Sequence, residues 1–276
     1  MMPVILLAAQ LAQNPSPMVE HGRSHERLVE KQPEGKRIPL ERGQLFLPRR
    51  MPRRSAVPLV FHFHGNPWIA ETAASQAGNP AVISLQLGAG SSVYAAPFQD
   101  AALFGRLLDE AQQKSGLRFD PVCLSSWSAG YGAIREILQN PDHYSKVQCV
   151  IAVDSIHASY LEGKPGPLES RLDEGPLSVF VRFARDASIG AKRMIIAHTE
   201  IFPGTFASTT ETADYLLASL DLRRRPILRW APFGMQQISE ARRGRFHVLG
   251  FAGNTAPDHI DQLHALGWFW KLAFGR

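Results

Sequence analysis

Hydrophobic residues in this chain concentrate in six short, almost continuous runs that are separated by longer polar or amphipathic stretches. A continuous apolar run of this length predicts a strand that is buried on both faces, as in a parallel sheet, whereas a strand with one face in water alternates. The six runs therefore predict the parallel strands of a buried sheet. They cover residues 57–64, 81–87, 120–126, 147–153, 192–198 and 245–252.

Helical patterns fill several of the gaps between these runs. Apolar residues recur at helical spacing in residues 98–114 and 210–220. A third helix is predicted over residues 129–139, and its end is set by the Asn-Pro pair that follows. Nearer the N-terminus, residues 37–47 alternate about a central glycine and predict a hairpin. Strands and helices that alternate along the chain are typical of an α/β fold, with a mostly parallel central sheet and helices on both faces.

The predicted sheet and helices form one domain, residues 36–276, and residues 1–35 precede it as a leader and a polar arm. Residues 1–13 hold a short apolar stretch, as a secretory signal peptide does, but lack its Lys/Arg-rich start. This pattern fits a degenerate signal peptide and export as well as a cytoplasmic protein, and cleavage of the leader stays open. Residues 158–188 include a Pro/Gly-rich stretch and are the only insertion able to act as a small cap.

The composition narrows the range of partners. A chain of 276 residues, 45% of them hydrophobic, can bury a core without metals or disulfides, and Cys123 and Cys149 lie inside apolar runs as buried thiols. The net charge of +5 and the isoelectric point near 9.4 come largely from arginine clusters in connecting segments. These clusters lack the motifs of nucleic-acid-binding proteins, so we predict a solvated basic surface and no nucleic-acid partner. No apolar run approaches the roughly 18 residues that cross a bilayer, and the oligomeric state stays open.

Chemically active residue types gather at the carboxyl ends of the predicted strands, where the active sites of parallel sheets form. The first strand runs into a glycine loop, HGNPW, and the third runs into WSAGYG, which contains Ser128. Asp154 and Glu200 follow the next two strands, and His259 follows the last one. The strand ends thus supply a glycine loop, a serine, two candidate acids and a histidine.

The order Ser128, then Asp154 or Glu200, then His259 resembles that of the α/β-hydrolase superfamily, and the resemblance extends from about residue 37 to the C-terminus. It implies the α/β-hydrolase fold with a small cap or none. It also implies a serine hydrolase that cleaves a carboxylic ester or related acyl bond through a Ser-His-Asp triad and an acyl-enzyme, with a small-molecule substrate and no cofactor. The alternative is a non-catalytic hydrolase-like protein that binds a small ligand or partner in the same crevice.

Ser128 lies in the pentapeptide Ser-Trp-Ser-Ala-Gly, which departs from the family's Gly-x-Ser-x-Gly motif at its first position, Ser126. The sharp strand-to-helix turn of this motif brings its first and last positions close together, so both need small side chains. Ser126 and Gly130 meet that requirement, and Ser128 is interpreted as the nucleophile rather than a turn serine. Trp127 and Tyr131 flank the turn and are expected to lie beside the substrate pocket.

The family's oxyanion hole takes one backbone N–H from the residue after the nucleophile and one from the loop after an early strand. Ala129 supplies the first here, and Asn66 is the predicted second because Pro67 has no N–H. Gly65 lets the backbone approach the substrate. Trp68 either walls the acyl pocket or packs as a structural aromatic, and both interpretations stay open.

His62 and His64 form a His-x-His pair, the kind that begins some two-metal hydrolase sites. Such sites need further carboxylate or imidazole ligands nearby, and the Gly-Asn-Pro that follows supplies none. We therefore predict no metal, and expect His64 to fix the oxyanion loop by hydrogen bonding.

Asp154 is the preferred acid because it follows its strand directly, and a short side chain at a strand end is easier to hold rigidly than a glutamate in a loop. Glu200 lies two residues past the following strand, the commoner location in the family, and stays an alternative. His259 is the predicted general base because it stands on the connection that leaves the last strand. His247 lies inside that strand, and His264 lies further along a helix.

Overall fold

The computed structural model describes residues 26–52, 55–162 and 171–274. Within them, ten strands form one sheet. The strands are β1 Gly35–Pro39, β2 Gln44–Pro48, β3 Val57–Phe63, β4 Ala81–Leu85, β5 Phe119–Ser128, β6 Val147–Ser155, β7 Arg193–His198, β8 Arg225–Trp230, β9 Gln236–Arg243 and β10 Phe246–Phe251. Their order across the sheet is β1-β2-β4-β3-β5-β6-β7-β10-β9-β8.

The centre of the sheet is parallel and both edges are antiparallel. β1 and β2 form a hairpin, and β2 joins β4 in the antiparallel sense. From β4 through β3, β5, β6 and β7 to β10, every neighbouring pair is parallel. β10, β9 and β8 complete the other edge as an antiparallel ribbon. The mostly parallel sheet predicted from the continuous apolar runs is confirmed.

Helices cover both faces of this sheet. Phe104, Ile134 and Phe180 lie in the apolar core on one face, and Ile69 and Trp270 lie in the core on the other. This arrangement confirms the α/β fold with a mostly parallel central sheet and helices on both faces that the sequence indicated. The helices are α1 Pro67–Gln76, α2 Ser91–Phe98, α3 Leu103–Ser115, α4 Tyr131–Gln139, α5 Pro141–Lys146, α6 Ser178–Ser188, α7 Thr209–Ala218, α8 Ala256–His264 and α9 Leu266–Phe274.

Three features differ from the sequence-based expectations. The helix expected over residues 98–114 begins later, as α3 at Leu103, and residue 98 is the last residue of the preceding helix α2. The β8–β9 pair was not predicted, since most of β8 is exposed and lacks the continuous apolar pattern of a buried strand. β5 and β6 each run two residues further than their apolar runs, so that Ser128 and Ser155 are their last residues.

The segment 158–188 was predicted to act as a small cap, but its second part is not a cap. Its second part contains α6, where Phe180 and Phe183 are fully buried against the core, so α6 is the connection that crosses from β6 to β7. Residues 163–170 of the same segment lie outside the described residues.

The N-terminal leader, residues 1–13, also lies outside the described residues. From residue 26 the arm contacts the domain, because Arg27 forms an ion pair with Asp261 on α8 at 2.7 Å and the Leu28 N–H donates to His264. Cys123 and Cys149 are buried free thiols on β5 and β6. Across the described ranges, no helix has the length and apolar character of a bilayer span.

Candidate active site

Strained backbone marks the carboxyl ends of three neighbouring strands. His64 follows β3 with φ 72°, Ser128 ends β5 with φ 49°, and Asp154 lies near the end of β6 with φ 41°. Non-glycine residues in this left-handed region are uncommon, and each is held there by the surrounding structure at a cost of about 1–3 kcal/mol. Strain of this kind is concentrated at functional sites, so these three strand ends identify the region to inspect.

The turn at Ser128 is sterically tight. β5 ends at Ser128 and α4 begins three residues later at Tyr131. A Cβ atom placed on Gly130 would overlap the carbonyl oxygen of Phe63, the last residue of β3. Only glycine fits this position, which explains the last position of the pentapeptide and leaves the Ser128 side chain partly exposed.

The serine that replaces glycine at the first position of the pentapeptide has a buried partner. The hydroxyl of Ser126 forms a hydrogen bond of 2.9 Å with the hydroxyl of Ser155 on β6. Ser155 in turn donates to the carbonyl oxygen of Ser128 at 2.6 Å. Since Ser126 and Ser155 are both fully buried, this hydroxyl chain ties the backbone of Ser128 to the strand that carries Asp154.

Asp154 and His259 are in direct contact. Nδ1 of His259 lies 2.6 Å from Oδ2 of Asp154. The carboxylate also accepts hydrogen bonds from the Thr199 N–H at 3.0 Å, from the Thr199 hydroxyl at 2.8 Å and from the Thr209 hydroxyl at 2.7 Å. Burial by itself raises the pKa of Asp154, but the hydrogen bonds from His259, Thr209 and Thr199 outweigh it and lower that pKa to about 2.

These contacts determine which nitrogen of His259 carries a proton. Asp154 is ionised at neutral pH and accepts only, so Nδ1 of His259 is the donor in this hydrogen bond. The other nitrogen, Nε2, is then the one able to accept a proton. This is the tautomer that a histidine general base requires.

Trp127 holds His259 from one side. Its ring stacks on the imidazole with a centroid distance of 4.4 Å, and its indole N–H donates to the His259 carbonyl at 3.0 Å. Trp127 also stacks on His64, with 5.0 Å between the ring centroids. The start of α8 is set by a capping box between Thr255 and Asp258, one residue before His259.

The loop after β3 is held by hydrogen bonds to the segment after β4. His64 Nδ1 lies 2.7 Å from the Tyr94 hydroxyl, and the Gly65 N–H donates to the Gln86 side chain at 2.7 Å. Asn66 caps α1, and its side chain accepts from the Trp68 N–H. Within the described part of the chain, the backbone N–H groups of Asn66 and Ala129 have no hydrogen-bond acceptor.

The two residues of the His-x-His pair have different surroundings. His62 is buried, hydrogen-bonds to Ser125 and packs against Trp270, whereas His64 faces Tyr94 and Trp127. Over the described ranges, no group of three or more His, Cys, Asp or Glu side chains is arranged to hold a metal ion.

Glu200 and Trp68 lie apart from these contacts. The Glu200 side chain is exposed and forms no hydrogen bond with His259 in the described structure, and its backbone N–H donates to Gly253. Trp68 makes an edge contact with His264, 6.1 Å between ring centroids, beside α8. Neither residue lines the two cavities that open at Ser128.

Those two cavities share Ser128 in their lining, and together they are here called the cleft. The first, here the apolar lobe, has a volume of about 270 Å³, and its lining includes Ile201, Pro203 and Phe206 together with Asp154 and His259. The second, here the hydroxyl lobe, has a volume of about 470 Å³. It is walled by Gly90, Ser91, Ser92, Ala129, Tyr131 and Ser159. Ser128, His157 and Phe206 line both lobes.

The Ser128 hydroxyl forms no hydrogen bond with His259 in the described structure, although both side chains line the apolar lobe. The cleft therefore brings together a strained serine, an ionised aspartate and a histidine whose Nε2 has no hydrogen-bond partner among the described residues. The free N–H of Ala129 lies at the same strand end.

Several residues that build this site were not identified from the sequence. Thr199 and Thr209 hold the carboxylate of Asp154, Ser155 supports the elbow, and Tyr94 and Gln86 fix the loop after β3. Thr199 is the first residue after a predicted strand, and this position could have identified it as a site residue from the sequence. The others come from a helix, from a strand end and from the segment after β4, and single hydroxyl or amide residues there carry no motif.

No family model matches the chain, and no curated protein matches it either. Solved structures do resemble it. Carboxyl esterase 2 from the mycorrhizal fungus Tuber melanosporum is 14% identical with a TM-score of 0.48, and the match covers 99% of each chain. A hormone-sensitive lipase from a metagenome library is 12% identical with a TM-score of 0.47, over 96% of each chain. Acetyl xylan esterase from Aspergillus awamori is 14% identical with a TM-score of 0.44, over 82% of this chain and 93% of its own.

Proposed function

We propose that this α/β-hydrolase-like protein is a serine hydrolase that cleaves a carboxylic ester or related acyl bond. The observation that carries the proposal is the 2.6 Å contact between Asp154 and His259 in the cleft that also contains Ser128. An aspartate that orients a histidine beside a strained serine is the arrangement that activates a serine hydroxyl.

In the proposed acylation step, Ser128 attacks the carbonyl carbon of the ester. The hydroxyl proton passes to Nε2 of His259 as the bond from Oγ to carbon forms, and the carbonyl oxygen becomes an oxyanion. The backbone N–H groups of Ala129 and Asn66 are the proposed donors to that oxygen, and each such donor contributes about 3–4 kcal/mol to transition-state stabilisation. His259 then gives its proton to the leaving alcohol as the carbon–oxygen bond breaks.

Deacylation repeats these transfers with water. His259 takes a proton from water, the hydroxide adds to the acyl carbon, and Ser128 leaves with the proton that His259 returns. Asp154 stays ionised throughout, because a carboxylate with a pKa of about 2 does not take the proton of an imidazolium. Its role is to hold the tautomer and to stabilise the positive charge that forms on His259.

The Ser128–His259 hydrogen bond belongs to the complex with substrate in this mechanism. Catalytic hydrogen bonds of this type are often long without substrate and shorten when it binds. Trp127 supports this geometry because its ring stacks on the imidazole of His259 and its indole N–H donates to the His259 carbonyl oxygen. These two contacts limit the His259 ring to small movements toward Ser128.

The geometry favours Asp154 over Glu200 as the acid of the triad. Asp154 contacts His259 and has its remaining acceptor positions filled by Thr199 and Thr209. The exposed side chain of Glu200 has none of these contacts. A rigid, desolvated carboxylate is what the role requires.

A fluorophosphonate probe tests the proposal, since it labels only an activated serine. We expect the protein to be labelled and to hydrolyse p-nitrophenyl butyrate, and we expect Ser128→Ala to lose both properties. Ser145→Ala is the matched control, because Ser145 is exposed on α5 and lines neither lobe of the cleft. It is expected to behave as the unchanged protein does.

The same experiment separates the enzyme from its alternative. A folded protein that is not labelled and hydrolyses no ester would refute the hydrolase and favour a non-catalytic protein that binds ligands in this cleft. Labelling that persists in Ser128→Ala would assign the nucleophile to another serine.

A further inference from the structure

His157 stands at the junction of the two lobes and has no part in the proposed chemistry. It follows β6, two residues beyond its end. Its Nδ1 lies 2.9 Å from the carbonyl oxygen of Ala207, so Nδ1 is the protonated nitrogen and donates to that oxygen. The ring is fixed further by Phe206, whose ring meets it edge-on at 4.9 Å, and by Tyr131 at 5.8 Å.

The other ring nitrogen, Nε2, is therefore an acceptor with a fixed direction. Within the described residues Nε2 of His157 has no hydrogen-bond partner. Nε2 of His62 and of His247 are among the buried side-chain atoms without a partner in the described residues, and Nε2 of His157 is not. His157 lines both lobes of the cleft beside Ser128, so the cleft is the space from which a ligand can reach its ring. Burial lowers the pKa of His157 below its ordinary value, so the ring is neutral at pH 7 and Nε2 keeps its lone pair.

The surroundings of this acceptor indicate what it meets. Among the described residues that line the lobes there is no Lys, Arg or Glu, and the single Asp is Asp154, which is bonded to His259. A cleft without a free charge favours a neutral substrate, because an ion would lose its hydration without gaining a counter-charge. Ile201 and Pro203 wall one lobe, while Ser91 and Ser92 add hydroxyls to the other. Such a cleft fits an ester with one apolar half and one hydrogen-bonding half.

We propose that His157 is a specificity-determining residue, and that its Nε2 accepts a hydrogen bond from a hydroxyl group next to the scissile bond of a neutral hydroxy ester. The inference rests on the proposed serine hydrolase and adds its substrate class. A site that holds a fixed acceptor discriminates against an ester without the hydroxyl, because the acceptor then loses its water without gaining a partner. One neutral hydrogen bond corresponds to a preference of about 2- to 10-fold in kcat/KM.

Two matched pairs of esters test the proposal on the two sides of the scissile bond. The first pair is the glycerol monoester of butanoic acid and propyl butanoate. The second is ethyl β-hydroxybutanoate and ethyl butanoate. We expect the hydroxylated member of at least one pair to have a kcat/KM about 2- to 10-fold higher.

Three variants show whether His157 causes the preference. His157→Phe keeps a ring but has no acceptor, and its ratio of kcat/KM values should fall to about one. His157→Gln places an amide oxygen near the position of Nε2 and should keep part of the preference. His247→Phe is the control, because it makes the same exchange on β10 at a residue that lines neither lobe. Its ratio should equal that of the unchanged protein.

The outcomes distinguish this inference from the proposed function. Equal kcat/KM values within both pairs, or a preference that survives His157→Phe, would refute the role of His157 while ester hydrolysis stands. Absence of turnover for all four esters, together with absence of fluorophosphonate labelling at Ser128, would refute the hydrolase and the inference with it.

Discussion

Replacement of Asp154 by asparagine is the most informative perturbation, because the structure determines how the new amide orients. In the wild type, Oδ1 of Asp154 accepts from the Thr199 N–H and the Thr209 hydroxyl, and Oδ2 accepts from Nδ1 of His259. A backbone N–H can only donate, so the amide oxygen of the introduced asparagine must take the side of Thr199. The amide NH₂ group is then directed at His259.

This orientation reverses the tautomer of His259. Facing an NH₂ donor, Nδ1 becomes the acceptor, and the ring proton moves to Nε2. Nε2 then cannot take the proton of Ser128. A histidine in the wrong tautomer lowers kcat by about 10⁴-fold with the geometry otherwise intact.

The assay is kcat and KM for p-nitrophenyl butyrate, with fluorophosphonate labelling as a second measure of the activated serine. We expect Asp154→Asn to lose about four orders of magnitude in kcat with little change in KM. Glu200→Gln is the matched control and should retain the activity of the wild type. If Glu200→Gln loses activity and Asp154→Asn keeps it, the assignment of the acid and the reasoning from the tautomer are both wrong.

Three further predictions concern the support of the site and the stability of the fold. Ser155→Ala removes the donor to the Ser128 carbonyl and leaves the buried Ser126 hydroxyl without its partner. Thermal or urea unfolding should therefore show a free energy of unfolding lower by about 1–3 kcal/mol, and kcat should fall while KM changes little. In Gly130→Ala the new Cβ overlaps the carbonyl oxygen of Phe63 on β3, so this variant should lose activity and be less stable in the same unfolding measurements. Gly105→Ala on α3 is the control, because the nearest atom to its new Cβ is 3.9 Å away, and its stability should be unchanged or higher. Burial lowers the pKa of His62 and of His198 to about 3, so the folded state binds fewer protons than the unfolded state below pH 6.5. The free energy of unfolding should therefore fall as the pH drops from about 6.5 toward 3, by up to about 1.4 kcal/mol per pH unit for each histidine. Urea unfolding at a series of pH values measures this change. A flat stability profile in that window would mean that these histidines are hydrated or charged in the folded protein.

The fold class was determined by the sequence, and particular elements show why. The parallel strands β3 to β7 and β10 are buried on both faces, so each had to be a continuous apolar run, and such runs are visible without any tertiary information. The edge pair β8 and β9 was missed because β8 is largely exposed and β9 is mostly half-buried, so neither strand has the continuous apolar run of a buried strand. The helix α6 was missed for a different reason. It lies in a segment whose Pro/Gly-rich start suggested a cap, although its own buried face packs on the sheet.

The candidate site likewise has one part that the sequence predicts and one part that only the tertiary structure decides. Because the carboxyl ends of parallel strands meet at one edge, the order of residues along the chain is enough to bring Ser128, Asp154 and His259 into one region. Which acid contacts His259 is a matter of a few ångströms, and the sequence left Asp154 and Glu200 both open. Only the tertiary structure decides that contact, because it depends on the left-handed backbone at Asp154 and on two donors that converge on its carboxylate, Thr199 directly after β7 and Thr209 at the start of α7. Hydrogen bonds between residues far apart in the chain have no local pattern, and for that reason the sequence specified the groups and the fold specified their partners.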